Sequence, residues 1–169
     1  GVEYKFCLPK TAWPPTYQSW VVNGRKTSSD LNLYKVSLER FTQLAKRTAQ
    51  FSILVPDNFA TDNGSTGLRH LVIENYKLRE FLSFENRKRI FPAVDERYKF
   101  AVLGFDNNSK KADLFEAFFY RTDLGDLNLP EVKINYPMAF LKQIEPERLA
   151  MIECRCQELL NLFEKLRLK

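Results

Sequence analysis

The residues best equipped for chemistry lie in one stretch, Glu85-Asn86-Arg87-Lys88-Arg89-Ile90-Phe91-Pro92, followed by Arg97, Tyr98 and Lys99. Cations are interleaved there with aromatic rings. Cationic side chains neutralise phosphates, and the face of an aromatic ring can stack on an unpaired base. The same pattern also describes a solvated hairpin loop whose Phe91 tucks into the core. A second stretch, Val55-Pro56-Asp57-Asn58-Phe59-Ala60-Thr61-Asp62, reads as a strand end followed by polar side chains, a weak signal alone. Elsewhere the sequence is poor in reactive constellations. It has no glycine loop to cradle a phosphate and no cluster with metal-ligand spacing. Its one histidine, His70, falls on a helix pattern and reads as a surface residue. Cys154 and Cys156 are two residues apart, on different sides of an expected helix. No Ser-His-Asp or Cys-His arrangement can be assembled.

Hydrophobic periodicity indicates what must position these residues. Residues 1–29 carry Pro9, Pro14, Pro15 and two tryptophans and read as an irregular connector. Asp30 is a candidate N-cap for a helix over 30–47, with Leu31, Tyr34, Leu38, Phe41 and Ala45 as its apolar stripe and Lys35 and Glu39 on the other side. The compact apolar run Phe51–Val55, ending at Pro56, suits a strand in a sheet covered on both faces. A second helix starts at Ser65 or Thr66 and ends near Asn75. Strands follow at 78–85 and 98–105, the latter apolar on both faces and read as central. The strand at 114–121 is a possible hairpin partner for it, and a short strand spans 131–136. From Pro146, the residues Leu149, Ile152, Cys156, Leu159, Phe163 and Leu166 recur at heptad spacing, which predicts a long C-terminal helix with either a core-facing or a coiled-coil seam. Mixed strands and helices give an α/β fold, in which ligand sites lie past the carboxyl ends of strands. Residues 56–63 and 85–97 both occupy such positions.

The 169 residues amount to one ordinary domain or a piece of something larger. Apolar residues are 44% and charged residues 28%, the composition of a globular chain and not a disordered one. With 26 Lys and Arg against 21 Asp and Glu the net charge is +5, which permits an anionic partner without requiring one. Three cysteines make no disulfide framework, no run is long and apolar enough for a membrane helix, and no signal peptide opens the chain. A reduced cytoplasmic setting is expected. Residue 1 is Gly, which suggests a trimmed or excised segment.

An ordered series of segments carries a resemblance: Asp30-Leu31-Asn32-Leu33-Tyr34-Lys35, then Phe51–Pro56 with Thr61-Asp62, then Gly67-Leu68-Arg69, then Phe84–Pro92, then Tyr98–Leu103. In this order and spacing they resemble the C-terminal half of an adenine-N6 DNA methyltransferase. The likeness is to the large methylases of type IIG restriction–modification and phage-exclusion systems. It covers roughly residues 30–105 and continues loosely through Gln143–Arg148. The resemblance implies a partial methyltransferase fold, a Rossmann-like mixed sheet with flanking helices. It divides the chain into an irregular segment 1–29, catalytic-domain residues 30–121, and a connector with the C-terminal helix, 122–169, leading toward a target-recognition region. It implies S-adenosylmethionine as cofactor and double-stranded DNA as partner, with an adenine flipped out and methylated on its exocyclic amine.

By the same resemblance Asn32, Leu33, Tyr34 and Pro56 are candidates for the cofactor-pocket wall, and Phe91 for stacking on the flipped base. Asn86, Arg87, Lys88, Arg89 and Lys99 are candidates for DNA contact. The glycine-rich cofactor motif and the Asn/Asp-Pro-Pro-Tyr/Phe motif of that group are absent. Trp13-Pro14-Pro15-Thr16-Tyr17 replaces the required amide by Trp13 and inserts Thr16 before the aromatic. No catalytic residue is therefore assigned, and the isolated chain is expected to be inactive. The strand ending at Pro56 would lose a neighbour, so its edge is expected to be open, covered by residues 1–10 or by a second copy of the chain. The other class of function is a non-catalytic nucleic-acid-binding or protein-interaction module derived from the same fold.

Overall fold

The computed structural model describes residues 20–27, 32–107 and 112–167. A short antiparallel ribbon, β1 (Trp20–Val22) and β2 (Arg25–Thr27), turns through Asn23 and Gly24, both at positive φ. The body is a five-stranded sheet. Its strands are β3 (Gln50–Pro56), β4 (Lys77–Glu85), β5 (Lys99–Asp106), β6 (Leu114–Arg121) and β7 (Ile134–Pro137), in the order β3-β5-β4-β6-β7. β5 runs antiparallel to both its neighbours, β6 is parallel to β4, and β7 is antiparallel to β6. β3, β4 and β6 therefore point the same way, and their carboxyl ends share one edge with the start of β5.

Alternation along the strands divides the sheet into two faces. Val55, Phe81, Ala101, Leu103, Phe105, Phe115, Ala117 and Phe119 point into the main core, beneath helical segments. Leu82, Phe84 and Phe118 form a smaller cluster on the other face, with Phe100 and Val102 beside it. Gly104 pairs with Glu80 of β4, and a Cβ there would come within 2.5 Å of the Glu80 side chain and displace it. β5 is interior, as expected, but the middle strand is β4. The expected hairpin between 98–105 and 114–121 does not form, because β6 crosses over to lie parallel to β4. Parallel neighbours need a crossover rather than a tight turn.

β3 is the outer strand at its side of the sheet, and no described residue pairs with its far side. Leu54 on it is 51% exposed. Among the described residues the edge is open, and the cover expected from residues 1–10 lies outside them. Burial of this strand on both faces was the wrong reading, because the face carrying Ser52 and Leu54 is exposed.

α1 (Leu33–Leu44) starts after Asn32, whose Oδ1 accepts from the Tyr34 N–H at 3.3 Å; Asp30, the expected cap, lies outside the described residues. The helix is rotated relative to its expected stripe. It buries Lys35, Leu38, Glu39 and Thr42, whereas Phe41 and Leu44 are exposed. The cause is what lies underneath: Lys35 meets Asp62 at 3.3 Å, and the Tyr76 hydroxyl donates to the Thr42 carbonyl at 2.9 Å. Polar partners there outbid an apolar seam.

The second helix, α2 (Thr66–His70), continues through a π turn over Leu71–Asn75 and ends where expected. After β7 comes a helix the periodicity did not suggest, α3 (Met138–Ile144). The C-terminal helix is present as α4 (Gln157–Arg167), beginning later than the expected start at Pro146. Tertiary hydrogen bonds intercept the backbone before it: Met151 N–H donates to the Ala60 carbonyl at 2.9 Å and Ile152 N–H to the Tyr136 hydroxyl at 3.0 Å. Leu149, at φ 49°, and Cys154 are buried in this irregular segment, and Cys156 is exposed. The two cysteines do not share a helix. Leu160 is fully buried, with Leu159 and Phe163 half-buried against the same core, so this helix turns its seam toward its own sheet. Among the described residues no helix is long and apolar enough to cross a membrane.

Candidate functional site

Two segments following strand ends are organised by buried polar side chains. The first is the loop after β4. Glu85 closes the strand, a 3-10 turn spans Asn86–Lys88, and Arg89 takes the left-handed conformation (φ 54°). Asn86 is fully buried and acts as the spindle of this loop. Its Oδ1 accepts from the Phe91 N–H at 2.9 Å, and its Nδ2 donates to the carbonyls of Phe91 (3.0 Å) and Val94 (2.8 Å). An amide suits this because it donates and accepts together. The expected DNA-contact residue Asn86 is thus turned inward, with its polar atoms occupied by the loop's own backbone.

The ring held by this spindle, Phe91, is 37% exposed and rests edge-to-face on Phe100 with centroids 4.8 Å apart. Phe100 in turn stacks on Phe84. The ring is seated on an aromatic base yet keeps accessible surface. Around it, Arg87, Lys88 and Arg89 are exposed and Lys99 is half-buried. Arg87 pairs with Glu85, Lys88 with Asp123 at 3.0 Å, and Lys99 approaches Glu85 at 3.9 Å. Lys99 also sits over the Tyr120 ring at 4.8 Å.

The second segment follows β3. Pro56 ends the strand, and Asp57–Ala60 form a 3-10 turn. A hydrogen-bond chain runs from the Tyr34 hydroxyl to Ser65 Oγ (3.1 Å) and from Ser65 Oγ to Asp62 Oδ2 (3.2 Å), which also meets Lys35. Burial pushes the Tyr34 phenol above its ordinary value, so it stays a donor. Of the four expected cofactor-wall residues, Asn32 caps α1, Leu33 is 78% exposed beside it, Tyr34 joins the 61–66 segment, and Pro56 begins the turn leading to it.

Arg69 holds this region together. Its side chain is fully buried, and it donates to the carbonyls of Phe59, Asp62 and Arg148, each at 2.8 Å, and to Thr66 Oγ1 at 3.1 Å. Burial lowers its pKa to about 10. One signal for this was available: Arg69 lies three residues before Val72, on the apolar side of its helix. His70 is buried, contrary to the surface reading. Its ring nitrogens meet Glu74 Oε1 and the Glu147 carbonyl, both at 2.9 Å, and the ring stacks on Trp20 at 4.6 Å. Long-range partners made that environment, which helix periodicity does not report.

Further residues at the same sheet edge escaped the sequence reading. Asp57 is 7% exposed, its Oδ1 has no hydrogen-bond partner, and burial raises its pKa despite a bond from Ser83. Tyr120, Arg121, Glu153 and Arg155 gather near the ends of β4 and β6. The unbroken run Phe118-Phe119-Tyr120-Arg121, which abandons alternation, was the available signal for an irregular strand end. Among the described residues no group of three or more His, Cys, Asp or Glu side chains is arranged to hold a metal ion.

The geometry can be set beside known proteins. No curated protein matches the sequence. A solved structure of the type I R-M system, concerned with its complex assembly and conformational transition, matches this chain with a TM-score of 0.52 at 11% identity. The match covers 78% of this chain and 36% of that one, so this chain spans about a third of its length. The likeness shows a shared mixed α/β fold. The sequence match begins at Trp13 and so takes in Trp13–Tyr17, outside the described residues. Over residues 13–91, just under half of the chain, the sequence is similar to the family described as Eco57I restriction-modification methylase.

Proposed function

We propose that the chain is the C-terminal part of the catalytic domain of a DNA adenine-N6 methyltransferase, supplying one wall of the pocket for cofactor and target base. In this reading residues 30–121 belong to the catalytic domain, and 122–169 connect it to a target-recognition region. The observation that carries it is Phe91: a partly exposed ring at the carboxyl edge of the sheet, fixed by a saturated buried amide and rimmed by cations. Extruding a base costs a few kcal/mol, and stacking a base on an aromatic ring contributes about 1–3 kcal/mol. The two are of one size, so a preset ring offsets extrusion.

In this reading Asn32, Leu33, Tyr34 and Pro56 contribute to one wall of a site for S-adenosylmethionine. The exposed Leu33 and half-buried Tyr34 offer an apolar and aromatic surface, while Tyr34 is held in place by Ser65. When bound, the cofactor supplies the methyl group. The residues of this chain orient the base and exclude water from it; none is assigned a proton-transfer step. Since the sequence contains neither the glycine-rich nor the Asn/Asp-Pro-Pro-Tyr/Phe motif, the chain alone transfers no methyl to DNA.

The test is Phe91→Ala in the full-length protein. Labelled-methyl transfer falls roughly 5- to 150-fold, the equivalent of about 1–3 kcal/mol of stacking. Thermal stability changes little. A variant that keeps full methylation, or loses about 3–5 kcal/mol of stability as a core aromatic would, overturns the assignment.

A further inference from the structure

The end of β6 is built irregularly, and the irregularity aims two side chains. Leu82 pairs with Phe118, but the next pairing is Phe84 with Arg121, so β6 holds one residue more than β4 across that step. The extra residue sits at a bulge, where Tyr120 takes a left-handed backbone conformation, φ 60°. For a bulky aromatic this is costly, of order 1–3 kcal/mol, and strain of this kind clusters at ligand sites. Bulges re-aim side chains at sheet ends.

Here they open onto a cavity of about 400 Å³ lined by Glu85, Arg87, Phe119, Tyr120, Arg121 and Arg155. Three arginines from three distant segments therefore converge on one cleft. Arg87 is engaged by Glu85. Arg121 and Arg155 have no carboxylate at ion-pair distance among the described residues, and the Nε of Arg121 is buried with no hydrogen-bond partner. Arg155 lies 5.5 Å over the Tyr120 ring, which Lys99 approaches at 4.8 Å. A buried, unpartnered guanidinium nitrogen is expensive unless an acceptor reaches it. A planar guanidinium matches the paired oxygens of a phosphate, which an ammonium does not.

We propose that this cleft is a phosphodiester subsite. Arg121 and Arg155 grip one backbone phosphate of a nucleic-acid strand, and Tyr120 is the platform that holds Arg155. This rests on the methylase reading for the identity of the strand as DNA, and it adds a positioning contact separate from the Phe91 loop. Phosphate contacts fix register on a duplex without carrying sequence information.

The experiment measures binding of the 169-residue chain to two unrelated fluorescent duplexes across a salt series, with Arg121→Gln, Arg155→Gln and the double variant. Arg40→Gln, an exposed arginine of α1, serves as control. The double variant is expected to bind both duplexes more weakly by the same factor. Its slope of log K against log salt is expected to be smaller by about 0.9, one phosphate on duplex DNA. Its thermal midpoint and the Arg40→Gln slope stay at wild-type values. Inorganic phosphate at matched ionic strength distinguishes a site for free phosphate: displacement of duplex by low phosphate from the wild type alone would assign the cleft to a small anion and overturn the strand contact. An unchanged slope in the double variant overturns the subsite, while the Phe91→Ala methylation test still stands for the methylase reading. Absence of salt-dependent duplex binding by the wild type overturns the subsite whatever the Phe91→Ala result.

Discussion

Replacing Arg69 by Met removes four hydrogen bonds while keeping most of the apolar stem. Three of the acceptors are backbone carbonyls at 2.8 Å, on the turn after β3 and on the segment before α4. Bonds to a charged donor contribute about 1.5–3 kcal/mol each, so four give roughly 6 kcal/mol at the low end. Against this stands the cost of burying the guanidinium. Its pKa falls from 12.5 to about 10, which corresponds to a penalty of about 3 kcal/mol that the variant no longer carries. The net loss is about 3–5 kcal/mol, since the carbonyls of Phe59, Asp62 and Arg148 are left buried without a donor. Urea unfolding followed by circular dichroism reads this directly: with a slope of about 2 kcal/mol per molar, the midpoint drops by about 2 M. Arg69→Lys is expected to fall between, because one ammonium cannot reach carbonyls on two sides. If Arg69→Met unfolds within about 1 kcal/mol of the parent, the carbonyls are hydrated and Arg69 is no keystone.

Asn86→Ala leaves the loop after β4 without its spindle, and amide exchange at Phe91 and Val94 is expected to rise while the strands stay protected; methylation by the full-length protein falls as far as in Phe91→Ala, and a normal rate would refute the positioning role. Asp57→Asn tests the buried carboxyl. A carboxyl pKa raised above its ordinary 3.8 binds its proton more tightly when folded, so stability declines as pH rises from 3.8 through the folded value. The variant is therefore expected to melt higher than the parent at neutral pH and to lose that advantage in acid; a constant difference across pH contradicts the burial argument. Finally, the open edge of β3 predicts that the chain alone self-associates in sedimentation runs. Leu54→Lys, a charge on that exposed edge strand, is expected to return it to monomer, and a parent that sediments as monomer at every concentration removes the edge from consideration.

How much of this was legible beforehand varies with the range of the forces involved. Strands β3 to β6 were readable because short apolar runs bounded by turn residues are local signals, and the expected strand ends at Pro56 and Glu85 are where the strands end. The end of the second helix at Asn75 was readable for the same reason. The rotation of α1, the buried setting of His70 and the late start of α4 were not. Each depends on a partner distant in sequence: Asp62 for Lys35, Glu147 for His70, Ala60 and Tyr136 for residues 151–152.

The sequence by itself determined the strands, the basic aromatic loop around Phe91 and the methylase resemblance, since residue order and side-chain type are enough for those. Tertiary structure alone decided which polar groups are buried and satisfied. Asn86 became a spindle, Arg69 a clamp, and Arg121 an arginine with an unpartnered nitrogen at a strained strand end. The physical reason is that the free energy of a buried polar atom is set by the acceptor or donor that folding brings to it, and the path of the folded backbone chooses those partners, from Phe91 for Asn86 to Arg148 for Arg69.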